Sequence, residues 1–517
     1  MMRKMIIRPL AVALLSLVML SSCNKFLDIQ SKGTLLEDVQ FSKIRGYEDA
    51  MYGVYGSMAD QGLYGGVLTA GFIENISQTI GNVNSVSMNY QVNRYRYTNP
   101  QVRDQIDAIW SAQYEVISFA NNIIANAEKS SLSGHVLQLV RGEAYGLRAF
   151  LHFDVARVFA ADYRRAKAAG TLKTTRGIPY SFDFKLENKR LYNLEDTYKN
   201  ILADLDQAEA LLSGDETITA GDLTAATYET NRIVHFNKYA VYATKARVYN
   251  AMGETAKAIE YAQKVIAHGA DFSLADRSFF ANVTRFPASR ELVFGLYAPK
   301  FLDWVSTTYL STGGAGNVDQ GRQLRALNEL YTPLGGGASI DNRQVAYYRQ
   351  IDSYTQFIRL LPDRDLLRSI GNSNKGIMLI RLPEMYYILA EASYPTDPAA
   401  AVEALNKVRD SRGLAPLTTN NFSNQVAFEK ELMREYLRET PGEGLSFHAI
   451  KHFSYRRERH AYRGDVYPAL AAAGTHLWQS LIDHLSDNAN NEQDSDKTSP
   501  GISSQWACAH KLSKDRG

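Results

Sequence analysis

Two long stretches of this sequence, residues 77–102 and 273–375, combine aromatic and amide side chains without a helical repeat. The side chains there that could bind a ligand are Tyr90, Asn93, Tyr95, Trp304 and Tyr309. The axial C–H groups of a sugar ring pack on an aromatic face, while its hydroxyls form hydrogen bonds with amides. These residue types therefore predict a surface that binds carbohydrate. The sequence leaves open the alternative that single rings only pack these stretches onto the scaffold.

No pattern in the sequence indicates catalysis or a metal site. His448 and His452 have the i, i+4 spacing of helical metal ligands, but Ala449 stands where a zinc protease would place its glutamate. A solvated helix face is the simpler interpretation. Arg381 and Glu384 are best explained as a buried structural ion pair. We therefore predict no catalytic residue, no metal ligand and no cofactor.

The first 22 residues have the layout of a bacterial export signal. A basic start precedes the apolar run Leu10–Leu20, which is shorter than the roughly 20 residues of a membrane-spanning helix. The adjoining residues Leu20-Ser21-Ser22-Cys23 resemble a lipobox, whose cysteine receives a diacylglycerol and an N-acyl chain such as palmitate. We predict a signal peptide at 1–22, lipidation of Cys23 and a lipid-anchored tether at 23–40. The alternative is a secreted protein without lipid.

Composition and charge exclude several classes of protein. The chain has 517 residues, of which 45% are hydrophobic and 22% charged, and this excludes a disordered or collagen-like polymer. Its 57 Lys and Arg residues nearly balance its 55 Asp and Glu residues, so no bulk field recruits nucleic acid. Tyrosine outnumbers the other aromatic residues, with 31 Tyr against 21 Phe and 4 Trp, which favours contact surfaces over a purely apolar interior.

The scaffold that must position the candidate side chains is predicted to be helical. Apolar residues recur every three or four positions, the spacing of amphipathic helices, in 105–129, 136–160 and 195–212. In 239–269 the pattern A-x2-Y-x3-G-x4-A-x3-A-x3-I resembles a tetratricopeptide unit whose two helices join near Gly253. A comparable pair is predicted in 385–414. Because long irregular stretches separate these units, a regular solenoid is excluded.

Several strings resemble, in their order along the chain, the SusD/RagB family of outer-membrane lipoproteins. They are Cys23-Asn24-Lys25-Phe26-Leu27-Asp28, Gly142-Glu143-Ala144-Tyr145-Gly146-Leu147-Arg148-Ala149-Phe150, Gly177-Ile178-Pro179-Tyr180, Tyr198 through Leu212, Ala243 through Tyr249, Ile380-Arg381-Leu382-Pro383-Glu384-Met385-Tyr386-Tyr387, and Leu405-Asn406-Lys407-Val408-Arg409-Asp410-Ser411-Arg412-Gly413. Each string is weak alone. Their order behind a lipobox carries the resemblance, which covers about Cys23 to Lys451.

The resemblance implies a mainly α fold, with tetratricopeptide-like helix pairs and long irregular loop insertions, in regions 41–272 and 273–454. It also implies a binding protein, not an enzyme, anchored by lipid at the bacterial outer membrane and facing the cell surface. Members of the family bind glycans and deliver them to a SusC-like TonB-dependent transporter, and both insertions lie where members make ligand contacts. A peptide in place of the oligosaccharide is the alternative ligand.

The sequence also supports a prediction for the end of the chain, and it leaves two other functional classes open. Residues 455–517 depart from the family pattern, and we predict a divergent tail there, either disordered or read in an altered frame. A helical-repeat adaptor that binds only proteins stays open. So does a hydrolase, because the 55 carboxylates could include a pair at glycosidase separation.

Overall fold

The computed structural model describes residues 37–77, 88–93, 95–185, 187–216, 218, 227–281, 289–298, 300–301, 304, 321–334, 339–351, 354–360 and 376–454. The predicted signal peptide, Cys23, Tyr309 and the predicted tail at 455–517 lie outside these residues. The protein is mainly helical, which confirms the predicted fold class.

The helices and strands of the described residues follow in chain order. The helices are α1 (Ile44–Met58), α2 (Phe72–Ser77), α3 (Met88–Asn93), α4 (Pro100–Lys129), α5 (His135–Phe159), α6 (Tyr163–Ala168), α7 (Leu194–Leu211), α8 (Lys238–Met252), α9 (Thr255–Ile266), α10 (Arg277–Ala281), α11 (Leu324–Tyr331), α12 (Asn342–Tyr347), α13 (Leu382–Ser393), α14 (Pro398–Ser411), α15 (Gln425–Glu439) and α16 (Ser446–Ser454). The strands are β1 (Arg176–Pro179), β2 (Leu191–Asn193), β3 (Leu292–Tyr297), β4 (Gly321–Gln323), β5 (Tyr348–Ile351), β6 (Tyr354–Phe357) and β7 (Gly376–Arg381).

The helices predicted from apolar spacing are confirmed, and side chains cap the starts of α4 and α7. Helix α4 begins at Pro100, five residues before the predicted start. The Asn99 side chain accepts hydrogen bonds from the backbone N–H groups of Gln101 (3.0 Å) and Val102 (3.4 Å). Proline is well tolerated in a first helical turn, because the N–H that it lacks would have no partner within the helix. The cap, not the apolar repeat, therefore defines this end of the helix.

Two tetratricopeptide-like helix pairs form the centre of the scaffold. Helices α8 and α9 pack together, and α8 is capped at its C-terminal end by Gly253, which has a φ of 71°. That left-handed conformation suits glycine and allows the sharp turn predicted there. In the second pair, α13 and α14, the Asp397 side chain caps α14 by accepting from the Ala400 N–H (3.0 Å). Because α9 also packs on α13, the two pairs form one layer.

A large hydrophobic core includes residues from α1 through to α16, and a smaller one packs α13 to α16 together. Trp110 and Tyr114 belong to the large core, as their spacing on α4 predicts. Tyr114 is buried, and Trp110 is half-buried with its ring 4.9 Å from that of Tyr114. Neither residue is therefore part of a ligand surface.

Short antiparallel strands, which helical periodicity does not predict, organise the second insertion. Strand β3 pairs with β7, from Leu292 opposite Arg381 to Tyr297 opposite Gly376. A second sheet has the order β4-β6-β5, and β1 pairs with β2 near the first helix group. The candidate residue Trp304 thus lies in the stretch between β3 and β7, whose two ends are joined by the β3–β7 ladder.

A network of buried ions joins the C-terminal elements. Its buried arginines are Arg343, Arg359, Arg381, Arg409, Arg412 and Arg438, and its carboxylates are Glu291, Asp341, Glu431, Glu435, Glu439 and Glu443. Glu439 on α15 lies within 2.8 Å of both Arg381 and Arg412 and 3.0 Å from Arg343. Although burial opposes ionisation, these guanidinium groups hold the pKa of Glu439 well below its usual range. The network therefore keeps its charges inside the fold.

The predicted ion pair between Arg381 and Glu384 is wrong, although both residues form buried ion pairs. Arg381 bonds to Glu291 (3.1 Å) and to carboxylates of the network, whereas Glu384 accepts from Arg247 Nε on α8 (2.7 Å). Arg381 ends β7 and Glu384 lies in the first turn of α13, so the change from strand to helix sends them to different partners. Within the described part of the chain, no helix is both long and apolar enough to cross a membrane.

Candidate ligand-binding site

The residues predicted in the first insertion lie on and after the short helix α3. Tyr90 is half-buried within it, and Asn93 is its last residue. Tyr95 has a φ of 55°, an uncommon conformation for a residue with a side chain. Its hydroxyl donates a hydrogen bond to the carbonyl oxygen of Ile76, the penultimate residue of α2 (3.2 Å). Tyr95 is thus held half-buried against α2, and its polar atom already has a partner in the scaffold.

In the second insertion, Trp304 rests on a glycine of the loop that precedes α2. The ring is half-buried and packs against the edge of the large core. A Cβ placed on Gly66 would lie 2.4 Å from Trp304 Cη2, so any other residue at 66 would displace the ring. Tyr309, the other candidate of this insertion, lies outside the described residues.

The two predicted sets therefore converge on one segment, residues 59–77. Trp304 contacts this segment at Gly66, and Tyr95 bonds to it at Ile76. Apolar and amide composition could not predict that Trp304 and Tyr95 both contact this segment, because the segment itself contains no unusual aromatic motif. We define residues 59–71 as the support loop.

The support loop is rigid because its polar groups are satisfied locally. The backbone N–H of Gly71 bonds to the Gly66 carbonyl (2.8 Å), and the Thr69 hydroxyl bonds to the Tyr64 carbonyl (2.9 Å). Tyr64 is buried and its hydroxyl donates to Asp154 Oδ2 on α5 (2.6 Å). Burial beside that carboxylate raises the pKa of Tyr64 well above its usual value, so the phenol stays protonated as a donor. Trp304 thus packs on a surface that is fixed before any ligand arrives.

A second aromatic surface was not predicted from the sequence. Phe182, Phe184 and Leu191, in the connection between β1 and β2 and at its end, have exposed fractions of 44%, 41% and 48%. Buried side chains hold this connection from below. Asn121 donates from Nδ2 to the Ser181 carbonyl (3.1 Å) and to the Asp183 carbonyl (3.0 Å). The string Tyr180-Ser181-Phe182-Asp183-Phe184, with aromatic residues at every second position, could have indicated it.

The described residues contain no cluster of three or more metal-binding side chains. The predicted solvated face of His448 and His452 is wrong, because α16 packs on the helical scaffold. His452 Nε2 lies 2.8 Å from Glu391 Oε1 on α13, and burial lowers the pKa of His448 well below its usual value. These histidines are structural contacts.

Two family profiles match the chain. Residues 25–250 match a family profile described as "Starch-binding associating with outer membrane", and residues 325–506 match the profile of the SusD family. The chain belongs to the SusD/RagB family. Members are binding proteins, and the second match continues through much of the region after residue 454.

Individual relatives of this SusD family chain are distant in sequence and close in fold. "SusD-like protein P2" of Formosa agariphila is 26% identical over 294 residues, which are 55% of this chain and 50% of that protein. The alignment thus spans half the length of that relative. A SusD superfamily protein from Bacteroides thetaiotaomicron has a TM-score of 0.65 at 19% identity, covering 85% of this chain and 98% of its own.

A "SusD-like carbohydrate binding protein" from Bacteroides vulgatus has a TM-score of 0.60 at 18% identity, covering 79% of this chain and 83% of its own. Likeness at these identities shows the fold alone.

Proposed function

We propose that this protein is a lipid-anchored protein of the bacterial outer membrane that binds an oligosaccharide at the cell surface and delivers it to a SusC-like TonB-dependent transporter. The observation that carries the proposal is the packing of Trp304 on Gly66. This contact holds a half-buried ring on a rigid loop. The starch-binding description of the matched family and the carbohydrate-binding relative support a sugar as the ligand. A peptide is the second candidate ligand.

An aromatic platform binds through the sum of several contacts. A stacked ring contributes about 1 kcal/mol beyond the area that it buries, so one ring cannot hold a sugar tightly. We propose that Tyr90, Asn93, Tyr95 and Tyr309 add further stacking and amide contacts to that of Trp304. Because the support loop is already ordered, binding does not have to include the cost of folding it.

The test is affinity electrophoresis of the purified protein on gels that contain defined polysaccharides. Trp304→Ala should lose most of the retardation seen with the parent protein on its ligand. The control is Tyr52→Ala, which removes another aromatic ring, exposed by 42%, from α1. Equal retardation of parent and Trp304→Ala on every retarding glycan contradicts the site. Retention of a peptide library, with no retardation by any glycan, favours the peptide ligand.

For the transporter we propose a contact surface made of Phe182, Phe184 and Leu191. Exposed apolar side chains held on a rigid loop are typical of anchors in protein interfaces. The surface lies near the point at which the chain enters the described fold. Glu37 accepts a hydrogen bond from Asn126 Nδ2 (2.9 Å), near the same end of α4 as the Asn121 contacts.

The position of this surface supports a partner in the membrane. Glu37 follows Cys23 by only 14 positions, so an anchor at Cys23 would keep this end of α4 within about 50 Å of the lipid. The double variant Phe182→Ser with Phe184→Ser should reduce co-purification with the transporter and leave glycan binding intact. The matched control is Val426→Ser, which changes an equally exposed apolar residue on α15. Unchanged co-purification of the double variant contradicts this surface.

A further inference from the structure

The turn between α15 and α16, residues 440–445, packs against the support loop, and we call it the C-terminal turn. It contains two glycines with left-handed backbones, Gly442 with a φ of 81° and Gly444 with a φ of 74°. A Cβ placed on Gly444 would lie 2.0 Å from the Leu68 carbonyl oxygen and 3.3 Å from Thr69 Cα. Glycine at 444 therefore adopts the left-handed conformation without strain and also lets the two backbones approach each other.

The contact at Gly444 lies beside the hydrogen bonds that fix Gly66. Thr69 donates to the Gly66 carbonyl oxygen both from its backbone N–H (3.2 Å) and from its hydroxyl (3.2 Å). Gly66 is in turn the residue on which the Trp304 ring packs. A shift of the C-terminal turn would therefore displace Leu68 and Thr69 and, through their bonds, the residue that supports the ring.

Buried ion pairs hold the C-terminal turn in place. Glu443 is buried within the turn, where it accepts a hydrogen bond from Arg381 Nε at the end of β7 (3.0 Å) and also pairs with Arg359. Arg359 Nη1 donates in addition to the carbonyl oxygen of Pro441 (2.9 Å). Hydrogen bonds between charged groups are stronger than those between neutral ones, so these arginines fix the conformation of the turn.

We propose that the C-terminal turn positions the Trp304 ring through the support loop, and that Gly444 is the positioning residue. This role rests on the proposed function, because the position of the ring matters for binding only if the ring contacts a ligand. It also gives the buried ions around Glu443 an effect on ligand binding in addition to their effect on stability.

Fluorine NMR of protein labelled with fluorotryptophan tests the position of the ring without any ligand. The chain has four tryptophans, and Trp304→Phe identifies the signal that belongs to Trp304. In Gly444→Ala this signal should shift by more than its line width, because the new methyl group displaces Leu68. The matched control is Gly413→Ala, at another left-handed glycine (φ of 84°), whose new methyl group would meet the Asn342 side chain on α12. The control should leave the Trp304 signal at its parent position.

Two results of this measurement overturn the proposal. One is a Trp304 signal that stays at its parent position in Gly444→Ala, and the other is an equal shift in both glycine variants. If Gly444→Ala does not fold, Ser446→Ala replaces it. This variant removes the hydrogen bond from the start of α16 to Glu74 on α2 (3.1 Å), directly after the support loop, and it should shift or broaden the same signal. An unchanged signal in Ser446→Ala then overturns the proposal.

Affinity electrophoresis in gels that contain soluble starch relates the position of the ring to binding, since the matched family is described as starch-binding. Gly444→Ala should be retarded less than the parent protein. The double variant of Gly444→Ala with Trp304→Ala should be retarded as much as Trp304→Ala alone, because the turn acts through this ring. A further loss in the double variant overturns that route. If starch does not retard the parent protein, the result counts against starch in the proposed function, while the fluorine signal still decides the positioning role.

Discussion

We expect a substitution at Gly66 to weaken ligand binding, because the Trp304 ring packs against this glycine. In Gly66→Ala, the new methyl group would lie 2.4 Å from Trp304 Cη2 and 2.7 Å from the Gln61 carbonyl oxygen. Both distances are far below van der Waals contact, so the tryptophan must move or the loop must shift. Overpacking of this kind costs about 1–3 kcal/mol of stability. The variant therefore displaces the proposed platform while leaving every ring in the chain.

The expected change in affinity follows from the stacking energy of one ring. Losing the alignment of Trp304 with a sugar removes about 0.5–1.5 kcal/mol, which is roughly a two- to twelve-fold rise in Kd. Isothermal titration with the oligosaccharide that retards the protein in gels measures this directly. Gly56→Ala is the matched control, because a Cβ at Gly56 on α1 meets nothing within 4 Å. That control should keep its affinity and its stability.

A double variant separates displacement of the ring from damage to the loop. In Gly66→Ala with Trp304→Ala the contact with the indole is absent, so the loss of stability should be smaller than the sum of the two single losses. Affinity should be no lower than in Trp304→Ala alone. If Gly66→Ala binds glycan as tightly as the parent while Trp304→Ala does not, then Gly66 does not position the ring and the reasoning fails.

Three further predictions concern the buried ions and the helix caps. Although burial opposes ionisation, Arg232 holds the pKa of Glu143 at about 2, and His452 and Arg164 hold the pKa of Glu391 at about 2, against an ordinary 4.5. Each carboxylate therefore contributes stability above pH 4.5 that is lost as the pH falls towards 2, about 3 kcal/mol apiece, and urea unfolding at pH 7, 4 and 2.5 should show that loss. Glu439→Gln should lower the free energy of unfolding by about 3–5 kcal/mol, measured in the same way, because it leaves buried guanidinium charge uncompensated; a change below 1 kcal/mol would contradict the role given to the network. Asn99→Ala should cost about 1 kcal/mol in thermal unfolding by removing the cap of α4, and no measurable loss would show that Pro100 alone defines the start.

The helical scaffold could be predicted because its information is local. Apolar spacing in 136–160 and the small residues around Gly253 specify single helices and one turn, and the structure has them at those places. The short strands could not be predicted in this way, since β3 and β7 pair residues that lie 79 to 89 positions apart. The charges of neighbouring residues also led to a wrong prediction of an ion pair. Arg381 and Glu384 are close in sequence, yet each has its partners on other elements, which only the packed fold brings near.

In the candidate site, too, the sequence indicates residue types but not which residues the fold brings together. Aromatic and amide types in two insertions led to the prediction that Trp304 and Tyr95 contact a ligand, and this stays a prediction. The segment 59–77, which both residues contact, could not be predicted. Nothing in the sequence around Gly66 indicates that the Trp304 ring packs on it. The surface of Phe182 and Phe184 was missed for a related reason: exposure depends on the buried contacts of Asn121 beneath the loop.

The segment 59–77 links the proposed ligand surface to both halves of the chain. Tyr64 bonds to α5, while Ser446 on α16 donates to Glu74 on α2 (3.1 Å). Rings that contact this segment are therefore supported by the N-terminal and the C-terminal helices together. Because such a support has little freedom to lose, a ligand should bind with a small entropic cost from the protein. Each weak stacking contact then contributes nearly its full free energy to binding. The sum of several such contacts lets a protein capture a chain of sugars and still release it.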